Sequence, residues 1–342
     1  MIQRMKWAAE KVFRTINAPS CYPEQKRKPT IRRAADVFCW LFQKHEIHNF
    51  YNIYGLDLQG SSDTEYLDYR SFGRDRSMCN RMGGNMSQVV LLRDKLLFFR
   101  YMKERGFPVP EIYAVVRNGT ILSRDLKPLK VADSRCFPTP DFFLKDIGGE
   151  CASFVKHVNF SELEKLLPTL NKGFYIIQEP IRQSQNYNTL FPGSINTLRV
   201  VTVYNQGEPY VLSTVLRIGT KASGCVDNWA QGGLAIGVNS DGTLKDRAFY
   251  KPNHGTVAFE HPDTKLRFEG FKLQGYQEAL QLACEAHKEF YNTEFIGWDI
   301  AMTEQGPCII EGNDNWEVTL MQAADHPLKS AWQKAVLDWR RA

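Results

Sequence analysis

The sequence places two acidic side chains and an amide on one face of a predicted hairpin. Residues 297–314, GWDIAMTEQGPCIIEGND, hold two apolar runs separated by the turn formers EQGP, which predicts a β-hairpin folded about Gln305. In that register Asp299 lies directly opposite Glu311, and Asn313 lies two residues further along the same face as Glu311. The oxygen atoms of these three side chains should therefore lie together.

Facing carboxylates carry an electrostatic cost. Directly opposed Cβ atoms in an antiparallel pair are about 5 Å apart, and two negative charges at that distance repel by about 3 kcal/mol at an effective dielectric constant of about 20. The two acids must therefore be neutralised or exposed to water. Both faces of the hairpin are crowded by apolar side chains, which argues against full exposure; these are Trp298, Ile300, Ala301, Ile309 and Ile310. The same register also makes two apolar pairs, Ile300–Ile310 and Met302–Cys308.

Two carboxylates and an amide form an all-oxygen set, which suits a hard cation. Mg²⁺ binds such ligands while keeping water molecules and sharing the phosphate oxygens of a substrate. The sequence therefore predicts that Asp299, Glu311 and Asn313 bind a divalent cation, which would relieve the repulsion. The alternative is that one or both acids point into solvent.

Three further charged residues end or interrupt apolar runs. Lys145 follows FFL and precedes Gly148 and Gly149, an arrangement that suits a phosphate-binding lysine beside a glycine loop. Glu179 ends the run YIIQE just before a proline, a junction that can present one acid and backbone groups to an adenine. Arg199 lies within TLRVVTV, where an unpaired guanidinium is costly. Each has a structural alternative, a solvated strand end for Lys145 and Glu179 and an internal ion pair for Arg199.

The composition is that of an ordinary globular protein. Of the 342 residues, 43% are hydrophobic and 24% are charged. The longest apolar runs are about six residues, far below the roughly 20 that a membrane span requires, and the amino terminus lacks a signal-peptide core. The eight cysteines are scattered without a CxxC pair, which predicts a reduced cytoplasmic protein and argues against a disulfide framework or a zinc site.

Positive charge is concentrated at the start of the chain. Residues 1–50 hold ten basic and four acidic residues, a net charge of +6 against +5 for the whole chain. A helical apolar stripe follows Ile2, Met5, Ala9, Val12, Phe13 and Ile16. One interpretation is a basic amphipathic helix packed on the body of the protein. The alternative is contact with a membrane surface or a glycan partner, which would make the cytoplasmic protein membrane-associated.

Helical and strand-like runs follow one another irregularly, which predicts an α+β fold and argues against a doubly wound parallel sheet. The predicted helices are most of 1–50 except 17–30, then 88–105, 274–291 and 328–340, with a Ser161–Glu164 cap opening a further helix. The predicted strands are 112–116, 120–122, 141–155 in part, 174–179 and a hairpin over 197–218, before a loop region over 219–270. The motifs GxGxxG, GxxxxGK[ST], GxSxG and HExxH are absent from the sequence.

In type and order, these residues resemble the ATP-grasp superfamily, and more closely its sugar-transfer associated family. The resemblance extends over about residues 45–320 and is carried by five segments: RDK (93–95), YIIQEPI (175–181), SINTLRVVT (194–202), DNWAQGGL (227–234) and GWDIAMTEQGPCIIEGN (297–313). It implies an ATP-grasp fold, in which two α+β lobes with antiparallel sheets clasp ATP after a mainly helical N-terminal region. The implied domains are residues 1–105, 106–180 and 181–342.

The resemblance also implies a role for each candidate residue. Lys145 would contact the α- and β-phosphates and Glu179 the adenine or ribose, and the full set of implied nucleotide contacts is Lys95, Lys145, Gly148, Gly149, Gln178, Glu179 and Ile181. Arg199 would contact the γ-phosphate or the transferred group, and Asn228 would lie near the phosphates or the acceptor. One or two Mg²⁺ ions, replaceable by Mn²⁺, would bind Asp299, Glu311 and Asn313. The lid segment GGECASFV (148–155) holds fewer glycines than many ATP-grasp lids.

Three functions follow from the resemblance. The first is a ligase that activates a small-molecule or sugar-linked carboxylate as an acyl phosphate and joins it to an amine, in polysaccharide or small-metabolite biosynthesis, with no nucleic-acid partner. The second is a kinase with a hydroxyl acceptor, and the third is a non-catalytic nucleotide-binding module. The acceptor is not identified, and the sequence does not rank five candidate anion-binding arginines, Arg70, Arg74, Arg76, Arg182 and Arg217.

Overall fold

The computed structural model places two antiparallel sheets beside a helical N-terminal region, which confirms the predicted α+β class. It describes residues 2–81, 86–129, 137–149, 154–205, 207–252 and 254–341. Residues 150–153 of the predicted lid therefore lie outside the described residues.

Among the described residues, five helices precede the first strand. They are α1 (Ile2–Asn17), α2 (Thr30–Lys44), α3 (Tyr69–Arg81), α4 (Met86–Arg93) and α5 (Lys95–Glu104). The helical start and its interruption over 17–30 are as predicted. Val12 and Ile16 of the predicted stripe are buried against the protein body, whereas Phe13 is 70% exposed.

The sequence does not predict α3. Its buried residues are Phe72, Arg76, Cys79 and Asn80, and this mixture of apolar and polar types hides the helical period. The buried polar members are satisfied, since Asn80 donates to the backbone oxygens of Phe295 and Asp314.

The single helix predicted over 88–105 is two helices. Asp94 interrupts it with an extended backbone, and its carboxylate accepts hydrogen bonds from the N–H groups of Leu96 and Leu97. This N-cap begins α5 at Lys95. The break fixes where Lys95 lies relative to the sheets.

The small sheet is built from residues 112–178. Its strands are β1 (Ile112–Arg117), β2 (Thr120–Leu122), β3 (Asp141–Asp146), β4 (Val155–Asn159) and β5 (Phe174–Gln178), in the order β2-β1-β5-β3-β4. Helix α6 (Phe160–Leu166) follows β4. Its capping box uses Asn159 and Glu162, so the predicted Ser161–Glu164 cap is wrong by two residues.

The large sheet follows in sequence, after α7 (Gln185–Leu190). Its strands are β6 (Thr197–Asn205), β7 (Glu208–Ile218), β8 (Leu234–Val238), β9 (Leu244–Tyr250), β10 (Val257–Ala258), β11 (Phe295–Thr303) and β12 (Gly306–Asn313), in the order β10-β9-β8-β7-β6-β11-β12. Helices α8 (Tyr276–Lys288), α9 (Val318–Ala324) and α10 (Lys329–Arg341) complete the chain. The loop predicted over 219–270 is wrong where it holds β8, β9 and β10. Strand β8 is buried at all five positions and so shows no alternation.

The late hairpin forms with one change of register. Asp299 pairs with Glu311 as predicted, but Ile300 pairs with Ile309 and Met302 with Pro307. The predicted pairs of Ile300 with Ile310 and of Met302 with Cys308 are therefore wrong by one residue, because the register shifts between Asp299 and Ile300. A β-bulge of this kind adds one residue to one strand.

Candidate active site

Asp299, Glu311 and Arg199 meet near one edge of the large sheet, on its last three strands. Strand β11 lies between β6 and β12, so Asp299 has Arg199 as its partner on one side and Glu311 on the other. Directly opposed residues of an antiparallel pair share a face and approach closely. The three side chains therefore form a row across three strands.

Asp299 is enclosed by two guanidinium groups. Its carboxylate is 3% exposed and accepts hydrogen bonds from Arg199 Nε and Nη2, the latter at 3.0 Å, and from Arg217 Nη2 at 2.9 Å. Burial by itself would raise the pKa of Asp299, but the two arginines outweigh burial and hold the pKa at about 2. Asp299 is therefore ionised at neutral pH.

Glu311 has the opposite shift. Burial and then the negative charge of Asp299 raise its pKa above the ordinary value, while Lys95 and Arg199 oppose this. The pKa values of the two facing carboxyl groups are thus pushed apart. Asp299 therefore carries the negative charge of the pair, while burial and the charge of Asp299 disfavour ionisation of Glu311.

The ion pairs of Arg199 and Arg217 with Asp299 weaken the electrostatic reason for predicting a cation. The structural alternative for Arg199, an internal ion pair, is present, since Arg199 pairs with Asp299. Since Asp299 is already neutralised, repulsion between the acids does not by itself require a divalent ion. Support for a cation site must come from its donor atoms.

Those donor atoms suit a hard cation. Asn313 Nδ2 donates to Gly297 O and to Glu311 Oε1, both at 3.3 Å, so its amide oxygen is directed away from the backbone. The set comprises two carboxyl groups and an amide oxygen, which fits Mg²⁺ completed by water and phosphate oxygens. Among the described residues, no group of three or more His, Cys, Asp and Glu side chains is arranged to hold a metal.

Arg217 and Asp227 extend the row; the sequence named Arg217 only as one of five unranked candidate anion-binding arginines and did not single out Asp227. Arg217 Nη2 lies 3.4 Å from Asp227 Oδ1 and 2.9 Å from Asp299 Oδ2, so it bridges two buried acids. Asp227 also accepts hydrogen bonds from the N–H and the hydroxyl of Thr197. A signal was available: Arg217, like Arg199, lies within an apolar run, and Asp227 immediately precedes the candidate residue Asn228.

Asn228 makes a hydrogen bond within its own loop segment. Its Oδ1 accepts a hydrogen bond from Ala230 N at 2.9 Å and caps the 3₁₀ turn Trp229–Gln231. The glycines that follow are needed for close approach, because a Cβ at Gly233 would lie 2.6 Å from Asp227 O. The DNWAQGG segment is thereby held beside Arg217.

Lys145 projects from the small sheet. It lies on β3 opposite Ile176 of β5, and its Nζ donates to Gln178 Oε1 at 2.8 Å. Burial lowers its pKa to about 8, with Glu311 opposing and Lys95 reinforcing the shift. After burial, the negative charge of Glu311 is the largest influence on the pKa of Lys145, so the two side chains interact electrostatically.

Lys95 fastens the glycine loop. Its backbone N–H donates to Ile147 O at 3.1 Å, and its Nζ donates to Gly149 O at 2.7 Å. Gly148 N in turn donates to Asp146 Oδ1 at 2.9 Å. The start of α5 therefore holds residues 147–149 beside Lys145 through both main chain and side chain.

The predicted hinge residues surround the end of β5. Glu179 Oε1 accepts a hydrogen bond from Glu111 N at 2.7 Å, and Glu179 N donates to Glu111 O at 2.9 Å. Gln178 Nε2 reaches Pro110 O at 3.5 Å, and Ile181 is partly buried. The Glu179 carboxylate is thus hydrogen-bonded to the backbone of Glu111, the residue immediately before β1.

The structure thus brings together most of the predicted residues from two sheets. Lys145 and Lys95 interact electrostatically with Glu311, and an ion pair joins Asp299 with Arg199. Such a site presents cations and an acidic pair to one space, which suits a bound polyphosphate and a divalent ion.

Comparison with solved structures returns matches of low sequence identity. The ATP-grasp ligase PsnB, complexed with minimal precursor, Mg and ADP, matches with 11% identity and a TM-score of 0.43 over 74% of this chain and 61% of PsnB. D-alanine–D-alanine ligase from Bacillus anthracis matches with 12% identity and a TM-score of 0.41 over 75% of this chain and 68% of that ligase. The chain thus spans about three fifths of the length of PsnB.

Comparison with curated protein sequences gives no significant match. Comparison with family profiles matches sugar-transfer associated ATP-grasp over residues 150–334. This segment is more than half of the chain and contains the acids, the arginines and the DNWAQGG segment described above. The predicted resemblance is therefore confirmed, and the chain belongs to the sugar-transfer associated ATP-grasp family.

Proposed function

We propose that the chain is an ATP- and Mg²⁺-dependent ligase that activates a carboxylate as an acyl phosphate and joins it to an amine. The supporting observation is the electrostatic interaction of Lys145, on the small sheet, with Glu311, which pairs with Asp299 on the large sheet. The corresponding division has three parts: residues 1–105, a small ATP-grasp lobe over 106–180 and a larger lobe over 181–342. The acceptors we propose are a small-molecule or sugar-linked carboxylate and an amine.

Each side chain in the site has a proposed task. Lys145 and Lys95 bind and orient the α- and β-phosphates, with the loop of Gly148 and Gly149 over them. The hinge residues hold the adenine and ribose, and they are Gln178, Glu179 and Ile181. Asp299, Glu311 and Asn313 would hold Mg²⁺, which, when bound, screens the phosphate charge and shares its oxygens.

The proposed reaction has two steps, phosphoryl transfer to the carboxylate and then amide formation. A carboxylate oxygen of the first substrate attacks the γ-phosphorus in line, and the bond to the β-phosphate oxygen breaks to release ADP. An amine then attacks the acyl carbon, phosphate leaves, and the nitrogen loses a proton to give the amide. Arg199, and Arg217 beside it, are placed to stabilise negative charge on the transferred group, and Asn228 orients the acceptor.

The proposal is tested by trapping the activated carboxylate. The purified chain is incubated with ATP, Mg²⁺ and hydroxylamine, and with D-glucuronate, D-galacturonate, D-alanine or succinate in turn. We expect a hydroxamate and a stoichiometric amount of ADP with at least one carboxylate, because hydroxylamine intercepts an acyl phosphate. Omission of the carboxylate is the control and should give neither product.

Two other outcomes would overturn the ligase. A stable phosphate ester formed with a sugar hydroxyl, without any hydroxamate, would favour the kinase. Calorimetric binding of ATP without turnover across the whole panel, extended to amino sugars and amino acids, would favour the non-catalytic module.

Lys145 predicts the pH dependence of nucleotide binding. Its pKa of about 8 means that the ligand-free chain loses this positive charge above pH 8, whereas a bound phosphate favours the protonated form. Binding must then take up a proton, so the affinity for a non-hydrolysable ATP analogue should fall as pH rises from 7 to 9, approaching about tenfold per pH unit above the pKa. Calorimetry across this range measures the dissociation constant.

The matched variants are Lys145→Arg and Lys156→Arg. Arginine stays charged, so Lys145→Arg should flatten the pH dependence of the dissociation constant. Lys156 is exposed on the neighbouring strand β4, so Lys156→Arg should leave this pH dependence unchanged. Equal slopes in all three proteins would show that Lys145 does not contact the phosphates.

A further inference from the structure

The first two helices expose large apolar side chains that the protein core does not use. The three most exposed large hydrophobic residues in the described part of the chain are Ile31 at 81%, Phe42 at 75% and Phe13 at 70%. Trp7 at 56% and Phe38 at 45% lie on the same two helices. Single exposed apolar residues are common, but five on two adjacent helices indicate an interaction surface.

On α2 these residues form one stripe. Ile31, Ala35, Phe38 and Phe42 follow one another at intervals of four, three and four residues, which places them on one face of the helix. The core face is a different one and carries Arg33, Val37 and Trp40. Helix α2 is therefore apolar on two faces, of which only one is buried by the protein.

The same helices are strongly basic. Helices α1 and α2 together hold seven Lys and Arg residues and two acidic residues, a net of +5 that equals the charge of the whole chain. Lys6, Arg14 and Arg32 are exposed, and Lys11 Nζ lies 4.1 Å from the ring centroid of Trp7. An exposed apolar stripe bordered by cations is the composition of a helix that lies in the interface of an anionic membrane.

From this arrangement we infer that α1 and α2 form a docking surface for an anionic lipid bilayer. Phe42, Phe38 and Ile31 enter the boundary between headgroups and acyl chains, and the basic residues contact lipid phosphates. None of the described helices is long and apolar enough to cross a bilayer. The inference concerns the first two helices only and is independent of the reaction proposed above.

Charge complementarity favours lipid over a second copy of the chain. A symmetric pairing of the two α2 stripes would bring together two helices that each carry three basic residues and one acidic residue, a net charge of +2, which is unfavourable. An anionic bilayer instead gains from the same charges, and its contribution weakens with salt.

The test is co-sedimentation of the full chain with two kinds of vesicle, one of phosphatidylcholine and one of equal parts phosphatidylcholine and phosphatidylglycerol. We expect binding to the anionic vesicles, weakened when salt is raised from about 0.1 M to about 0.5 M. The double variant Ile31→Ser, Phe42→Ser should bind about tenfold more weakly or worse, because two large apolar side chains no longer enter the bilayer. Lys6→Glu with Arg32→Glu should also weaken binding.

Matched exposed residues elsewhere provide the control. Tyr291→Ser with Leu337→Ser, at positions that are 58% and 49% exposed, should bind as the unmodified chain does. Circular dichroism and the melting temperature establish that every variant is folded. Three outcomes would overturn the inference: no binding to anionic vesicles, equal binding to both kinds, or a dimer in sedimentation equilibrium that Ile31→Ser, Phe42→Ser converts to a monomer.

Discussion

Replacing Glu311 with glutamine should abolish ATP turnover while leaving the fold intact. The pKa of Glu311 is raised by burial and by Asp299, so the surroundings of this side chain disfavour a negative charge. A glutamine amide has nearly the same shape and can also donate a hydrogen bond to Asp299. We therefore expect the free energy of unfolding to change by less than about 1 kcal/mol.

The rate of ATP turnover, in contrast to the stability, should fall strongly. A neutral amide cannot supply the charge that a divalent ion needs, so the rate of ADP release should fall by about 100-fold or more. Glu304→Gln is the matched control, because Glu304 lies at the tip of the same hairpin and is exposed. Both variants are compared by urea unfolding and by a coupled assay of ADP. A folded Glu311→Gln protein with near-normal turnover would remove Glu311 from the proposed metal site.

Replacing Asp299 with asparagine should have the larger effect on stability. The substitution leaves the guanidinium groups of Arg199 and Arg217 without one of their buried counter-charges, and breaking such a pair costs about 3–5 kcal/mol. The pKa of about 2 lies below the ordinary value of 3.8. The contribution of Asp299 is therefore complete above about pH 4 and is lost as pH falls through 2.

Urea unfolding at neutral pH and near pH 3 measures both parts of this prediction. The difference in unfolding free energy between the unmodified chain and Asp299→Asn should be smaller at the lower pH. Asp338→Asn is the control, since its ion pair with the exposed Lys334 spans one helical turn and is worth less than about 1 kcal/mol. If Asp299→Asn and Asp338→Asn lower the free energy of unfolding equally, the buried ion pairs of Asp299 do not stabilise the fold.

The sequence was most informative where local rules determine the structure. The alternation of residues about Gln305 predicts the hairpin and the pairing of Asp299 with Glu311, because a two-strand register needs only a turn and a side-chain period of two. The type and order of the charged residues, within five segments of the chain, carry the resemblance to the family that the family profile then confirms.

The remainder of the site depends on contacts between distant residues. Arg217 and Asp227 meet Asp299 because β7, β6 and β11 are neighbours in the sheet, and residues 217 and 299 are 82 positions apart. No periodicity in the sequence reports such a meeting. The missed strand β8 has a related cause, since complete burial removes the alternation by which strands are recognised.

The register shift in the late hairpin has a consequence for how the chain can vary in length. The shift lies between Asp299 and Ile300, so the acid pair and the tip at residues 303–306 belong to separately aligned segments. A change in the number of residues near the tip can be accommodated at this register shift, so that the pairing of Asp299 with Glu311 is kept. Homologous hairpins should accordingly tolerate gaps on the tip side of residue 300 and exclude them between 297 and 299.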